Sequence, residues 1–210
     1  MTRVKICGIR RVEDAMVAAD AGADFLGFVF YEGSRRMIEP EVAREIIGAV
    51  RRERPVKMVG VFVNASAQRV SEIARAAGLD YVQLSGDEPE SMIESLELPA
   101  IQVIHVDEEV EEGFLAERIA GTPAELVLLD TSSADHGGSG RTFDWQRVPV
   151  LERSVLLAGG LHAGNVAEAI RQVHPWGVDV SSGVETGGEK DRIRIREFIT
   201  AAKENHNPPM

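Results

Sequence analysis

Eight short apolar runs alternate along this chain with amphipathic segments, and that alternation restricts the fold more than any other feature. The runs are Val4–Cys7, Phe25–Phe30, Lys57–Val63, Tyr81–Leu84, Ala100–Val106, Glu125–Asp130, Ser154–Ala158 and Gly177–Val180. Each has the length of a strand, and their mostly apolar character marks strands covered on both faces. Helical spacing runs over Val12–Ala21, Pro40–Arg51, Ala67–Ala77, Pro89–Leu96, Glu108–Ala120, Asn165–Val173 and Asp191–Lys203. Between the sixth and seventh runs only a short helix around Trp145–Arg147 fits, because Pro149 limits it. Repeated strand–helix units imply a parallel sheet, and eight of them imply closure. The expected fold is therefore α/β: a (β/α)8 TIM barrel in a single domain over residues 1–205. Residues 206–210 carry two prolines and little to pack, and are expected to form a disordered tail. An open doubly wound sheet is the alternative. It usually begins with a Gly-x-Gly-x-x-Gly turn, whereas this chain has Cys7-Gly8-Ile9-Arg10.

The formal net charge of −11 argues against a nucleic-acid partner, which needs a basic stripe, and against an anionic membrane surface. An anionic substrate must then be held by a few local arginines and backbone N–H groups. The single cysteine forbids an internal disulfide. No stretch reads as a signal peptide or membrane span, so the expected location is cytoplasmic.

In a barrel the reactive groups lie at the C-terminal ends of the strands. After the seventh run stands Ala158-Gly159-Gly160-Leu161, and after the eighth Val180-Ser181-Ser182-Gly183. Backbone there can approach a phosphate closely and point successive N–H groups at it. Gly159, Gly160, Ser182 and Gly183 are thus candidate phosphate contacts, and the expected partner is a small phosphorylated metabolite.

Cys7 ends the first run and shares a face with Lys5. It reads either as a buried small hydrophobe or as a base or nucleophile whose thiolate the ammonium favours. Asp130 ends the sixth run, where an apolar approach would raise its pKa and suit it to be a general acid; the alternative is a loop cap or a lysine partner. Asp179 either touches substrate or balances Lys5. Ser34-Arg35-Arg36 follows the second run, and a guanidinium there could clamp a carboxylate or simply be solvated. The glycine-rich Asp135–Gly140 stretch, with His136, reads as a loop able to close over the mouth.

Taken together these motifs resemble phosphoribosylanthranilate isomerase over nearly the whole chain. The strongest piece is Lys5-Ile6-Cys7-Gly8-Ile9. Others are Val59–Asn64, Val82-Gln83-Leu84-Ser85-Gly86-Asp87-Glu88, Leu128-Leu129-Asp130-Thr131, Leu157–Leu161 and Val178–Glu185. The resemblance implies an Amadori rearrangement of tryptophan biosynthesis with no cofactor and no metal. Cys7 would be its base, Asp130 its acid and Arg36 the clamp for the anthranilate carboxylate. Two departures stand out: Arg35 where the family often has proline, and Ser85 where it often has histidine. The expected oligomeric state is monomer or homodimer.

Rival readings are weaker. A metal-dependent epimerase would need converging histidines and aspartates, and His105-Val106-Asp107 is the one such pair. An indole-glycerol-phosphate synthase would usually carry extra N-terminal helices. A bifunctional isomerase would need a second phosphate grip. A non-catalytic binding barrel has no need for the Cys7 and Asp130 pair.

Overall fold

A computed structural model describes residues 1–106, 112–131, 144–150 and 152–204 of the chain. Eight parallel strands close into a barrel in sequence order. They are β1 (Arg3–Cys7), β2 (Phe25–Val29), β3 (Lys57–Phe62), β4 (Tyr81–Leu84), β5 (Ala100–Val106), β6 (Leu126–Thr131), β7 (Val155–Leu157) and β8 (Gly177–Val180). Pairing of β1 with β8, Val4 opposite Val178 and Lys5 opposite Asp179, makes the closure. The helices are α1 (Val12–Ala21), α2 (Pro40–Arg51), α3 (Ala67–Ala77), α4 (Glu90–Ser95), α5 (Glu112–Gly121), α6 (Val166–Val173) and α7 (Arg192–Glu204). The expected barrel is therefore the fold, with element ends shifted by a few residues. The presumed tail, the loop from Asp135 to Gly140 and Asp107 lie outside the described residues.

Local chemistry accounts for several boundaries. Ser66 caps α3 by accepting from the Arg69 N–H. Asp191 caps α7, accepting from the N–H groups of Ile193 and Arg194. Pro40 occupies the first turn of α2, where its missing N–H costs nothing. Between β6 and β7 the described residues hold a single 3-10 turn, Trp145–Arg147, capped by Asp144.

One element was not legible in the periodicity. After β8 a 3-10 turn (Ser182–Val184) leads into an antiparallel hairpin of β9 (Glu185–Thr186) and β10 (Glu189–Lys190). Gly187 and Gly188 form its two-residue loop, both at positive φ as a tight hairpin turn requires. That Gly-Gly pair was the signal available in the sequence.

Strand alternation sorts the side chains into two cores. Val4, Ile6, Leu26, Phe28, Met58 and Phe62 face outward and join the helices in one large apolar layer. Inside the barrel, Phe25, Val59, Ile101, Val103, Leu126, Leu128 and Leu156 form a second cluster. Tyr81 and Trp176 pack on Phe25 at ring distances of 5.8 and 5.9 Å. The barrel is thus filled and apolar through most of its length. The inward polar side chains Gln83, Ser85, His105, Asp130 and Asp179 gather at its mouth, with Lys5 buried beneath them.

Phe28 is fully buried between sheet and helices. Phe28→Ala should cost about 3–5 kcal/mol, read as a lower urea midpoint. Val150→Ala, at a fully solvated position, should change stability by less than about 0.5 kcal/mol.

Candidate active site

The mouth opens into a cavity of about 580 Å³. Cys7 (β1), Asp130 (β6) and Asp179 (β8) line it together with Arg36 from the loop after β2. A smaller recess of about 40 Å³ adjoins it, bordered by Gly159, Gly160 and Ser182 and sharing Asp130 and Asp179 with the main cavity. Seven of the eight residues singled out in the sequence therefore meet at one end of the barrel. Gly183 is the exception, since it borders neither space. A Cβ on it would come within 1.9 Å of the Leu161 carbonyl oxygen, so a glycine here lets the two loops pack together.

Lys5 has no exposed surface, and its Nζ donates to Asp179 Oδ1 at 2.9 Å. Of the two roles open for Asp179, balancing Lys5 is thus realised, and the residue also reaches the cavity. Burial pushes the Lys5 ammonium down, but Asp179 and Cys7 outweigh it and hold its pKa above the ordinary lysine value.

At Cys7 burial acts against the Lys5 ammonium, which works in the expected sense and favours the thiolate. Burial pushes the thiol up, and the opposing pull of Lys5 and Lys190 does not cancel it, so its pKa stands above the usual thiol value. Asp130 behaves as its apolar approach suggested: burial, aided by Asp179, raises its carboxyl to about 6. The two groups sit on strands three apart around the barrel, with β7 and β8 between them, and share one cavity.

Gly27 provides the room for this arrangement. It stands opposite Cys7 in the β1–β2 register. A Cβ there would lie 2.9 Å from Cys7 Sγ and 3.2 Å from Lys5 Nζ.

The arginine loop is anchored by charge. Arg36 donates from Nε to Glu185 Oε1 at 2.7 Å and from Nη2 to Oε2 at 3.0 Å. Arg35 Nη2 reaches the same carboxylate at 2.6 Å, and Lys190 Nζ at 2.9 Å. In the sequence Arg36 reads as a carboxylate clamp or a solvated arginine, and nothing beside it points to Glu185 or Lys190, both of which are buried. Burial pushes Glu185 up, but the bonds from Arg36 and Lys190 prevail and hold it below the usual carboxylate range. At the opposite wall, Gln83 Nε2 donates to Ser85 Oγ at 3.1 Å, and His105 Nε2 meets the Ser85 carbonyl at 3.0 Å.

Comparison with known proteins decides the lineage. Residues 4–201 match the family described as N-(5'-phosphoribosyl)anthranilate isomerase. The chain belongs to that family. An N-(5'-phosphoribosyl)anthranilate isomerase from Pelobacter propionicus is 45% identical, over 99% of this chain and 98% of its own. A dimeric phosphoribosylanthranilate isomerase from Thermotoga maritima, solved as monomers, superposes at a TM-score of 0.81 with 38% identity, covering 97% of this chain and 100% of its own. An isomerase in complex with reduced 1-(o-carboxyphenylamino)-1-deoxyribulose 5-phosphate also reaches 0.81 at 38% identity, with the same coverage. Among the described residues, no helix of this isomerase is long and apolar enough to cross a membrane.

Gly27→Ala should displace the Cys7 thiol while leaving the barrel folded. Turnover is expected to fall at least about tenfold, since small misplacements of reacting groups are costly. Steady-state kinetics beside a circular dichroism spectrum check this.

Proposed function

We propose that Asp130 and Cys7 are the acid and base with which this isomerase of tryptophan biosynthesis converts N-(5-phosphoribosyl)anthranilate into 1-(2-carboxyphenylamino)-1-deoxyribulose 5-phosphate. Asp130 gives its proton to the furanose ring oxygen as the C1–O bond breaks. The nitrogen lone pair forms the C=N bond of a Schiff base. The Cys7 thiolate then takes the proton from C2, and the resulting enolamine tautomerises to the ketone. Both steps are proton transfers, so neither requires a metal or organic cofactor. The observation that carries this reading is the convergence of Cys7 and Asp130 on one cavity, with the Lys5–Asp179 pair alongside.

The electrostatics suit the roles. A carboxyl with a pKa of about 6 is near a tenth protonated at pH 7 and transfers that proton readily. A thiol raised by burial yields a thiolate of greater basicity toward a C–H proton. Lys5 stabilises that thiolate once it forms.

The remaining groups bind. The recess beside Gly159, Gly160 and Ser182 would take the 5-phosphate, with Gly183 keeping the two loops together. Arg36 would hold the aryl carboxylate, and Asp179 would face the sugar hydroxyls. All these residues come from one chain, so a monomer or a homodimer would carry a complete site. We read residues 1–205 as one catalytic domain, with no nucleic-acid or membrane partner. A base that must remain a reduced thiol fits a cytoplasmic setting.

The test follows loss of anthranilate fluorescence from substrate generated in situ. The wild type should decay it rapidly with chelator present. Cys7→Ser and Asp130→Asn should each lose about 10²–10⁴-fold in kcat. Absence of decay in the wild type would overturn the assignment.

The pH profile should be bell-shaped. The active form has Asp130 protonated and Cys7 ionised, although Asp130 has the lower pKa. Its population falls when both groups are protonated and again when both are ionised. kcat/KM should therefore drop below about pH 6 and drop again above the raised thiol pKa. A profile rising steadily from pH 5 to pH 10 would exclude this pair.

A further inference from the structure

We propose that Glu185 is the positioning residue of the anion clamp, fixing Arg36 so that the outer edge of its guanidinium faces the substrate carboxylate. This rests on the assignment of Arg36 made above. The inner edge of the fork, Nε and Nη2, is bound by the two Glu185 oxygens at 2.7 and 3.0 Å. Nη1 and the second Nη2 proton remain, and a guanidinium offers that edge to a carboxylate as a second two-point contact. Arg36 lines the main cavity, so this edge is the one available to a ligand there.

The charge count favours a receptor over a simple structural ion pair. Arg35, Arg36 and Lys190 all contact the one carboxylate of Glu185. Three cations against one anion leave this cluster itself with an excess of positive charge, and Arg35 and Arg36 carry it to the cavity wall. A purely structural pair would be satisfied by one of the three.

The surrounding elements hold Glu185 rather than Arg36. Lys190 is its register partner across the hairpin, and Nζ also donates to the Ser181 carbonyl at 2.8 Å. Arg194 Nη1 donates to the Glu185 carbonyl at 3.2 Å. The hairpin thus holds the Glu185 carboxylate through Lys190, α7 holds its main chain through Arg194, and the carboxylate grips the arginine. Both side chains of the pair are nearly closed to water, at 10% and 5% exposure. Without its partner, Arg36 has no comparable anchor on the β2 loop, where the Ser34 hydroxyl bonds only its backbone N–H.

The experiment compares two ligands: reduced 1-(o-carboxyphenylamino)-1-deoxyribulose 5-phosphate and the same compound with hydrogen in place of the aryl carboxylate. The wild type should prefer the first by about tenfold or more in Kd, the scale of a charged two-point contact. In Glu185→Gln, which keeps size but loses charge and one acceptor, the preference should shrink to about threefold or less, with the second ligand bound as before. Unchanged preference overturns the proposal, and so does a loss that falls on both ligands alike, which is what a merely structural role predicts. A wild type without any preference sinks the Arg36 assignment and this proposal together. A measurement on the wild type stands independently of whether the variant folds. The Arg36 Nε–H proton, identified by its loss in Arg36→Lys, should stay protected from exchange with water when the first ligand binds. If binding opens it to fast exchange, the fork has left Glu185 and the proposal fails.

Discussion

A lysine ammonium with no exposed surface lies 2.9 Å from a carboxylate inside the barrel, and the chemistry of the mouth depends on that contact. Each ion alone would cost several kcal/mol to bury, so neither Lys5 nor Asp179 could be charged there without the other. Such a pair is poor evidence of stability, because a well-packed apolar substitute often does as well. Its value lies in what it imposes on its neighbours. Asp179 helps to hold Asp130 partly protonated, and Lys5 moderates a thiol that burial alone would push higher still. Each ion also acts on the other group in the opposite sense, but Asp179 is the stronger influence on Asp130 and Lys5 the stronger on Cys7.

This works only over a dry floor. Phe25, Val59, Val103 and Leu128 fill the barrel beneath the polar tier and exclude water from below. Low polarity beneath and open cavity above place the titratable groups at a steep dielectric boundary, where modest geometric change shifts pKa strongly. Gly27 belongs to the same design. Every other side chain would fill the space that Cys7 Sγ and Lys5 Nζ occupy.

The barrel and most of its site were legible in the sequence for a simple reason. Parallel strands covered on both faces write long apolar runs, and their C-terminal ends can be found by counting. Cys7, Asp130, Asp179 and the Gly159-Gly160 turn all occupy such ends. What stayed hidden follows from the same rule. Glu185 and Lys190 stand on a two-residue hairpin, too short for any period to register. A charged residue in a loop reads as solvated unless its partner is known, and here the partners are Arg35 and Arg36, some 150 positions earlier. The net pKa of Cys7 was also out of reach, since sequence shows that an ammonium shares its face but not how deeply both are buried.

The departure at Arg35 now has a physical account. A proline at that position would stiffen the β2 loop by fixing one backbone angle. Arginine gives up that restraint, yet its guanidinium reaches Glu185 at 2.6 Å, and its carbonyl accepts from Arg10 Nη1 at 3.2 Å. Arg10 in turn pairs with Glu189 on the hairpin. The loop is therefore tied at two points to the element that carries Glu185, and a conformational restraint has been replaced by an electrostatic one. The replacement differs in kind. A proline ring acts regardless of solvent, whereas Arg35 is more than half exposed and its pairing weakens with salt. The buried Arg36–Glu185 contact is screened far less, so the alignment of the clamp rests on that inner pair and the outer one only limits the excursions of the loop.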